Sequence, residues 1–104
     1  MDIEKYNFYK KLTILTFIEQ IWLFGSRARG DNESRSDIDI ALVCPTATDK
    51  DWLQVLDIIE NADTLLKIDC IRFDNLKNND LFKQNIINYK KVIYTKSKNM
   101  NTIF

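Results

Sequence analysis

The residues best placed to do chemistry fall in one short stretch: Gly25-Ser26-Arg27-Ala28-Arg29-Gly30, then, six residues later, Asp37-Ile38-Asp39. The chain has two glycines, and both lie in that hexapeptide. Glycine is needed where the backbone turns through positive φ or approaches a ligand closely. A glycine and a serine opening a turn after a strand leave backbone N–H groups free, a natural seat for phosphate oxygens. The Ser26 hydroxyl adds a donor, and Arg27 and Arg29 supply positive charge nearby. Asp37 and Asp39 stand two apart, so on a strand their carboxylates share one face while Ile38, Ile40 and Leu42 take the other. Two like charges so close repel and raise one pKa. A divalent cation removes the conflict, and oxygen-only ligands favour Mg²⁺ or Mn²⁺. Asp69 is a third carboxylate, set in the mostly apolar Leu66-Lys67-Ile68-Asp69-Cys70-Ile71. Aspartate is a costly choice inside a strand unless it is solvated, paired or metal-bound. If that strand neighbours the Asp37–Asp39 strand, three carboxylates converge. They would then hold two ions about 3.5–4 Å apart, an arrangement suited to in-line displacement at phosphorus.

Plainer readings stand beside this one. An isolated Asp-x-Asp is usually a turn or a solvated surface, and a lone Gly-Ser says less; the combination, flanked by apolar strands, carries the chemical reading. Asp74, at the exit of the same strand, is the fallback for Asp69. Arg29 and Arg35 read equally well as solvated arginines, and Trp22 and Trp52 read as core rather than base-stacking residues. The lysines at 83, 90, 91, 96 and 98 read as a solvated face and tail.

Composition removes other chemistries. With no histidine, Ser-His-Asp hydrolysis, imidazole bases and imidazole metal sites are excluded. Fifteen basic and fifteen acidic residues balance to zero, which speaks against nonspecific nucleic-acid binding. Cys44 and Cys70 lack metal-ligand spacing and read as buried free thiols in a reducing cytosol. The polar start Met1-Asp2-Ile3-Glu4-Lys5 is no signal peptide, and no apolar run approaches the ~20 residues of a membrane helix, so a cytoplasmic protein is expected.

The elements that must position these residues follow from periodicity. Phe8, Leu12, Leu15 and Ile18 recur at helical steps, predicting a helix between about Ile3 and Gln20. Ile21 to Phe24 reads as a buried strand stopped by Gly25, the stretch from Ser26 to Ser36 as a loop, and Asp37 to Cys44 as a central strand ended by Pro45. Asp49 is a candidate N-cap for a helix presenting Trp52, Leu53, Leu56 and Ile59 on one face. Leu66 to Phe73 reads as a strand, Asp80 to Tyr89 as a helix, and Val92 to Thr95 as a last strand. The expectation is one domain over 1–95, with a loose tail over 96–104. Its fold class is α+β, an α/β sandwich in which helices pack on a small mixed sheet.

Phe24-Gly25-Ser26-Arg27-Ala28-Arg29-Gly30 followed by Ser36-Asp37-Ile38-Asp39-Ile40-Ala41 resembles the signature of the DNA-polymerase-β-like nucleotidyltransferase superfamily. The ten residues between Gly-Ser and Asp-x-Asp make it similar to the minimal nucleotidyltransferase (MNT) group. The resemblance spans nearly the whole chain, from the leading helix to the closing Val92-Ile93-Tyr94 strand. It implies metal binding by Asp37 and Asp39, Asp69 as third ligand and base, and Gly25 with Ser26 holding the triphosphate of ATP. Two Mg²⁺ or Mn²⁺ ions are implied as cofactors. A hydroxyl would attack the α-phosphate and pyrophosphate would leave. Many similar proteins act as antitoxin to a HEPN-domain ribonuclease, by transferring AMP to a tyrosine of that toxin; such a toxin is the implied partner. At 104 residues the acceptor is expected to bring its own docking surface. Two other readings stay open: a module that neutralises its partner by contact alone, and a subunit of a small-molecule or nucleic-acid nucleotidyltransferase. One departure is Ile68-Asp69-Cys70-Ile71-Arg72, where the family more often reads Val-Asp-Leu-Val, so Arg72 replaces an apolar residue.

Overall fold

Alternation along Ile38-Asp39-Ile40-Ala41-Leu42-Val43 sorts apolar bulk to one side of a sheet and leaves the carboxylate on the other. In the computed structural model, which describes residues 2–97, four strands form that sheet. They are β1 (Gln20–Phe24), β2 (Ile38–Val43), β3 (Ile68–Arg72) and β4 (Lys91–Thr95). Their order is β3-β2-β1-β4; β1 runs antiparallel to β2 and β4, and β3 runs parallel to β2. Four helices pack on this mixed sheet: α1 (Asn7–Thr13), α2 (Gly25–Arg29), α3 (Asp49–Glu60) and α4 (Leu81–Tyr89). This is the α+β architecture expected.

Parallel pairing needs a crossover, and α3 provides it between β2 and β3. One sheet face carries Ile21, Leu23, Ile38, Ile40, Leu42 and Cys44, all fully buried against Phe8 and Leu12 of α1 and Val55 of α3. Each such aliphatic or aromatic side chain contributes about 1.5–3 kcal/mol on burial, so this face supplies most of the stability. The opposite face is thinner: Trp22 and Ala41 under Ile86 of α4, with Phe24, Val43, Ile71, Phe73 and Leu76 around them. Trp22 is core as expected, edge-on to Phe73; Trp52 is half-buried at the margin of the larger core.

Three boundaries differ from the sequence reading. The first helix stops at Thr13 rather than near Gln20, because β-branched and aromatic residues follow and the Thr13 hydroxyl turns back to the Lys10 carbonyl at 2.8 Å. Tight turns, Leu15 N–H to Leu12 O and Ile18 N–H to Leu15 O, still carry Ile18 inward. The periodicity thus reported burial, not helix. Second, α3 is capped by Thr48, not Asp49. Thr48 and Asp51 exchange side-chain–backbone hydrogen bonds of 2.9 and 3.0 Å in a reciprocal capping box. Third, the buried face of α3 is Trp52, Val55 and Ile59, at three- and four-residue steps, while Leu53 and Leu56 are exposed.

α1 has no side-chain cap of its own. Asp63, beyond α3, supplies it, accepting from the Asn7 and Phe8 N–H groups at 2.9 and 3.1 Å. At the other end, the Lys96 N–H reaches the Glu19 carbonyl at 2.8 Å and its ammonium the Thr16 carbonyl at 2.6 Å. The expected tail beyond Ser97 lies outside the described residues. No helix among those described is long and apolar enough to cross a membrane.

Candidate active site

At the start of β2 the sheet register sets the geometry. Asp39 pairs with Phe24 of β1 on one side and with Asp69 of β3 on the other. The side chains of Asp39 and Asp69 therefore stand side by side on neighbouring strands, and the charge of Asp37 also acts on Asp39. Asp37 stands one residue before β2 rather than inside it, and is exposed. The expected alternation holds, with Ile38 fully buried between the two aspartates on the opposite face.

Gly25 follows Phe24 directly, at φ +70°, a conformation that side chains disfavour. A Cβ there would collide with the Asp39 carboxylate, so the strand-to-helix turn can lie against the acid only because residue 25 is glycine. The five-residue α2 then runs from Gly25 to Arg29 and ends at Gly30, φ +82°. Gly30 and Asp31 both donate their N–H to the Ser26 carbonyl, at 3.0 and 3.2 Å. Both glycines of the chain therefore serve this one turn.

The arginines divide. Arg27 donates to the backbone carbonyls of Ser36 at 2.8 Å and Asp37 at 3.2 Å, and more distantly to Ser34. Its guanidinium pins the loop that delivers Asp37. Arg29 pairs with Asp31 at 3.1 Å on the open surface. Arg35 is exposed beside a groove formed with Leu65, Leu66 and Lys67. Asp74, the fallback acid, points elsewhere: its carboxylate accepts the Cys44 N–H at 2.7 Å beyond the other end of β2. Arg72 lies on the face away from Asp69, over the Trp52 ring at 5.9 Å, and donates to the Ala47 carbonyl. That contact accommodates the departure from the family's apolar residue. Lys67 was missed in the sequence; its ammonium stands 3.6 Å from Asp69. The signal was available, since residue 67 precedes Asp69 by two and shares its face.

Electrostatics single out Asp39. Its carboxyl is raised to about 6, first by burial, then by the hydrogen bond to Asp69 and the charges of Asp69 and Asp37, with Lys67 pulling the other way. Three carboxylates and no soft donor make a set chemically suited to a hard divalent cation, whose charge would offset their repulsion. Among the described residues, no three such groups stand close enough to hold an ion as they are. Asp39 and Asp69 are partners in the sheet register, while Asp37 stands exposed just before β2. The two thiols take no part: burial pushes Cys44 up to about 11 and Cys70 up to about 12, leaving both protonated.

The pattern of the family described as "Polymerase beta, Nucleotidyltransferase" matches residues 7–99. No curated protein matches the chain in sequence. Among solved structures, a chain of a toxin–antitoxin crystallised with AMP-PNP is similar at TM-score 0.56 and 20% identity, over 89% of this chain and 77% of that one. A mutant of the toxin–antitoxin MntA-HpeT is similar at TM-score 0.59 and 20% identity, over 89% and 76%. A nucleotidyltransferase-like protein from Sulfolobus solfataricus gives TM-score 0.55 and 22% identity, over 88% and 77%. At such identities these likenesses speak for the fold.

Proposed function

Because this chain belongs to the polymerase-β nucleotidyltransferase family, we propose that it transfers AMP from ATP to a hydroxyl of a partner protein, as the antitoxin of a HEPN ribonuclease. The observation that carries this reading is the register pair Asp39–Asp69 lying against a turn that only glycine permits. A protein of that fold crystallised as a toxin–antitoxin with AMP-PNP supports the nucleotide and the partner class.

In this reading Gly25 and Ser26 seat the triphosphate, and Arg29 adds charge from the exposed end of α2. Arg27 holds the loop so that Asp37 stays at the start of β2. Asp37, Asp39 and Asp69 hold Mg²⁺ or Mn²⁺, two ions in the full arrangement. Bound there, the ions supply the positive charge that offsets triphosphate and carboxylates together. The acceptor oxygen bonds to the α-phosphorus as the bond to pyrophosphate breaks, and Asp69 takes the hydroxyl proton. Positioning and charge neutralisation do most of the work, so no histidine is required.

Incubation with α-labelled ATP, Mg²⁺ and the product of the adjacent gene is expected to label that product, and Asp39→Asn to abolish the label. A wild-type chain that labels nothing yet silences the partner's nuclease would establish neutralisation by contact instead. That second reading draws on the incomplete gathering of three donors and on the exposed apolar residues Leu81, Phe82, Ile87 and Tyr89 of α4.

A further inference from the structure

Lys67 immediately precedes β3, and its carbonyl accepts the Ile38 N–H at 2.9 Å. The parallel register pairs Ile38 with Ile68 and Asp39 with Asp69, so one step back sets Lys67 across from Asp37. Four side chains thus form the corners of one polar patch: Asp37 and Asp39 on β2's side, Lys67 and Asp69 on β3's. Three are acids and the fourth is an ammonium, 3.6 Å from the Asp69 carboxylate. The pair is open to solvent, with the lysine side chain 70% and the aspartate 43% exposed. Pairs so exposed add little to fold stability. Their cost to a second cation is another matter, since an ammonium in contact with Asp69 both occupies a donor oxygen and repels a dication. Lys67 also has somewhere to go: it borders the groove of about 470 Å³ shared with Arg35, Leu65 and Leu66.

We infer that Lys67 is the resident counter-ion of the carboxylate patch, and that a divalent cation must displace it to bind. Lys67 thereby sets the ion concentration at which the site loads. The inference rests on the proposed function, in which these three acids hold the metal.

Direct titration with Mn²⁺ alone, followed by electron paramagnetic resonance of the free ion, tests it without nucleotide or turnover. Lys67→Met keeps the apolar stem and removes the charge. It is expected to bind Mn²⁺ about three- to tenfold more tightly than wild type at low ionic strength, the gap closing as KCl screens the ammonium. Lys67→Arg is expected to stay near wild type. A merely structural lysine would lower the unfolding temperature without tightening Mn²⁺ binding. Equal or weaker binding by a folded Lys67→Met overturns the inference while leaving the proposed function standing. If wild type shows no Mn²⁺ binding that Asp39→Asn removes, the metal reading of the site falls, and this inference with it.

Discussion

Beyond the last residue of β2, Asp74 accepts a 2.7 Å hydrogen bond from the Cys44 N–H, and Arg72 nearby rests on Trp52 while donating to the Ala47 carbonyl. At its first residues, Asp39 faces Asp69, with Asp37 adjoining and a glycine turn pressed against it. The same residue type does opposite jobs at the two ends. Asp74 finds a backbone donor and closes the strand; Asp39 finds other acids and stays raised to about 6. A small sheet can keep such an unresolved cluster because its larger core is fully buried and the Cys44 N–H at its far end is paired.

The contrast can be broken from either side. The largest effect is expected from Gly25→Ala, which puts a methyl group into the Asp39 carboxylate and a side chain at φ +70°. Displacing the acid should lower AMP transfer by about a hundredfold, measured as labelled partner per minute, with the protein still folded by circular dichroism. Next comes Asp74→Ala at the satisfied end. It leaves the Cys44 N–H without its acceptor and should cost about 1–3 kcal/mol of stability in urea unfolding. Transfer by the molecules that remain folded should be unchanged. Such a variant with intact stability and lost transfer would reverse the assignment of the two ends.

The smallest effect is on pH. The folded Asp39 value, about 6, lies above the ordinary 3.8. A raised acid favours the fold below its unfolded value, and that contribution is lost as pH rises through the folded one. In EDTA the unfolding temperature should therefore fall slightly between pH 5 and pH 7.5, and Asp39→Asn should flatten this part of the profile. Solvent access to the group keeps the effect small.

Much of this was legible in residue order. Ile21 to Phe24 and Ile38 to Leu42 announced their strands by apolar runs and alternation, and the two glycines marked the turn between them. What stayed hidden depended on partners distant in sequence. Nothing near Arg27 shows that its guanidinium spans back to carbonyls at positions 34, 36 and 37. Asp74 looked like a spare acid until the strand beside it supplied Cys44. Leu53 and Leu56 matched a helical stripe as well as Val55 did, and only the position of the sheet decided between them.

The borrowed cap of α1 has a consequence for how the chain is made. Seven residues are too few to hold a helix alone in water, and the carboxylate that satisfies the Asn7 N–H comes 56 positions later. On the ribosome α1 therefore gains its cap only once Asp63 has emerged. The amino terminus is then clasped onto a sheet of which two of the four strands have been made, a late latch rather than a seed.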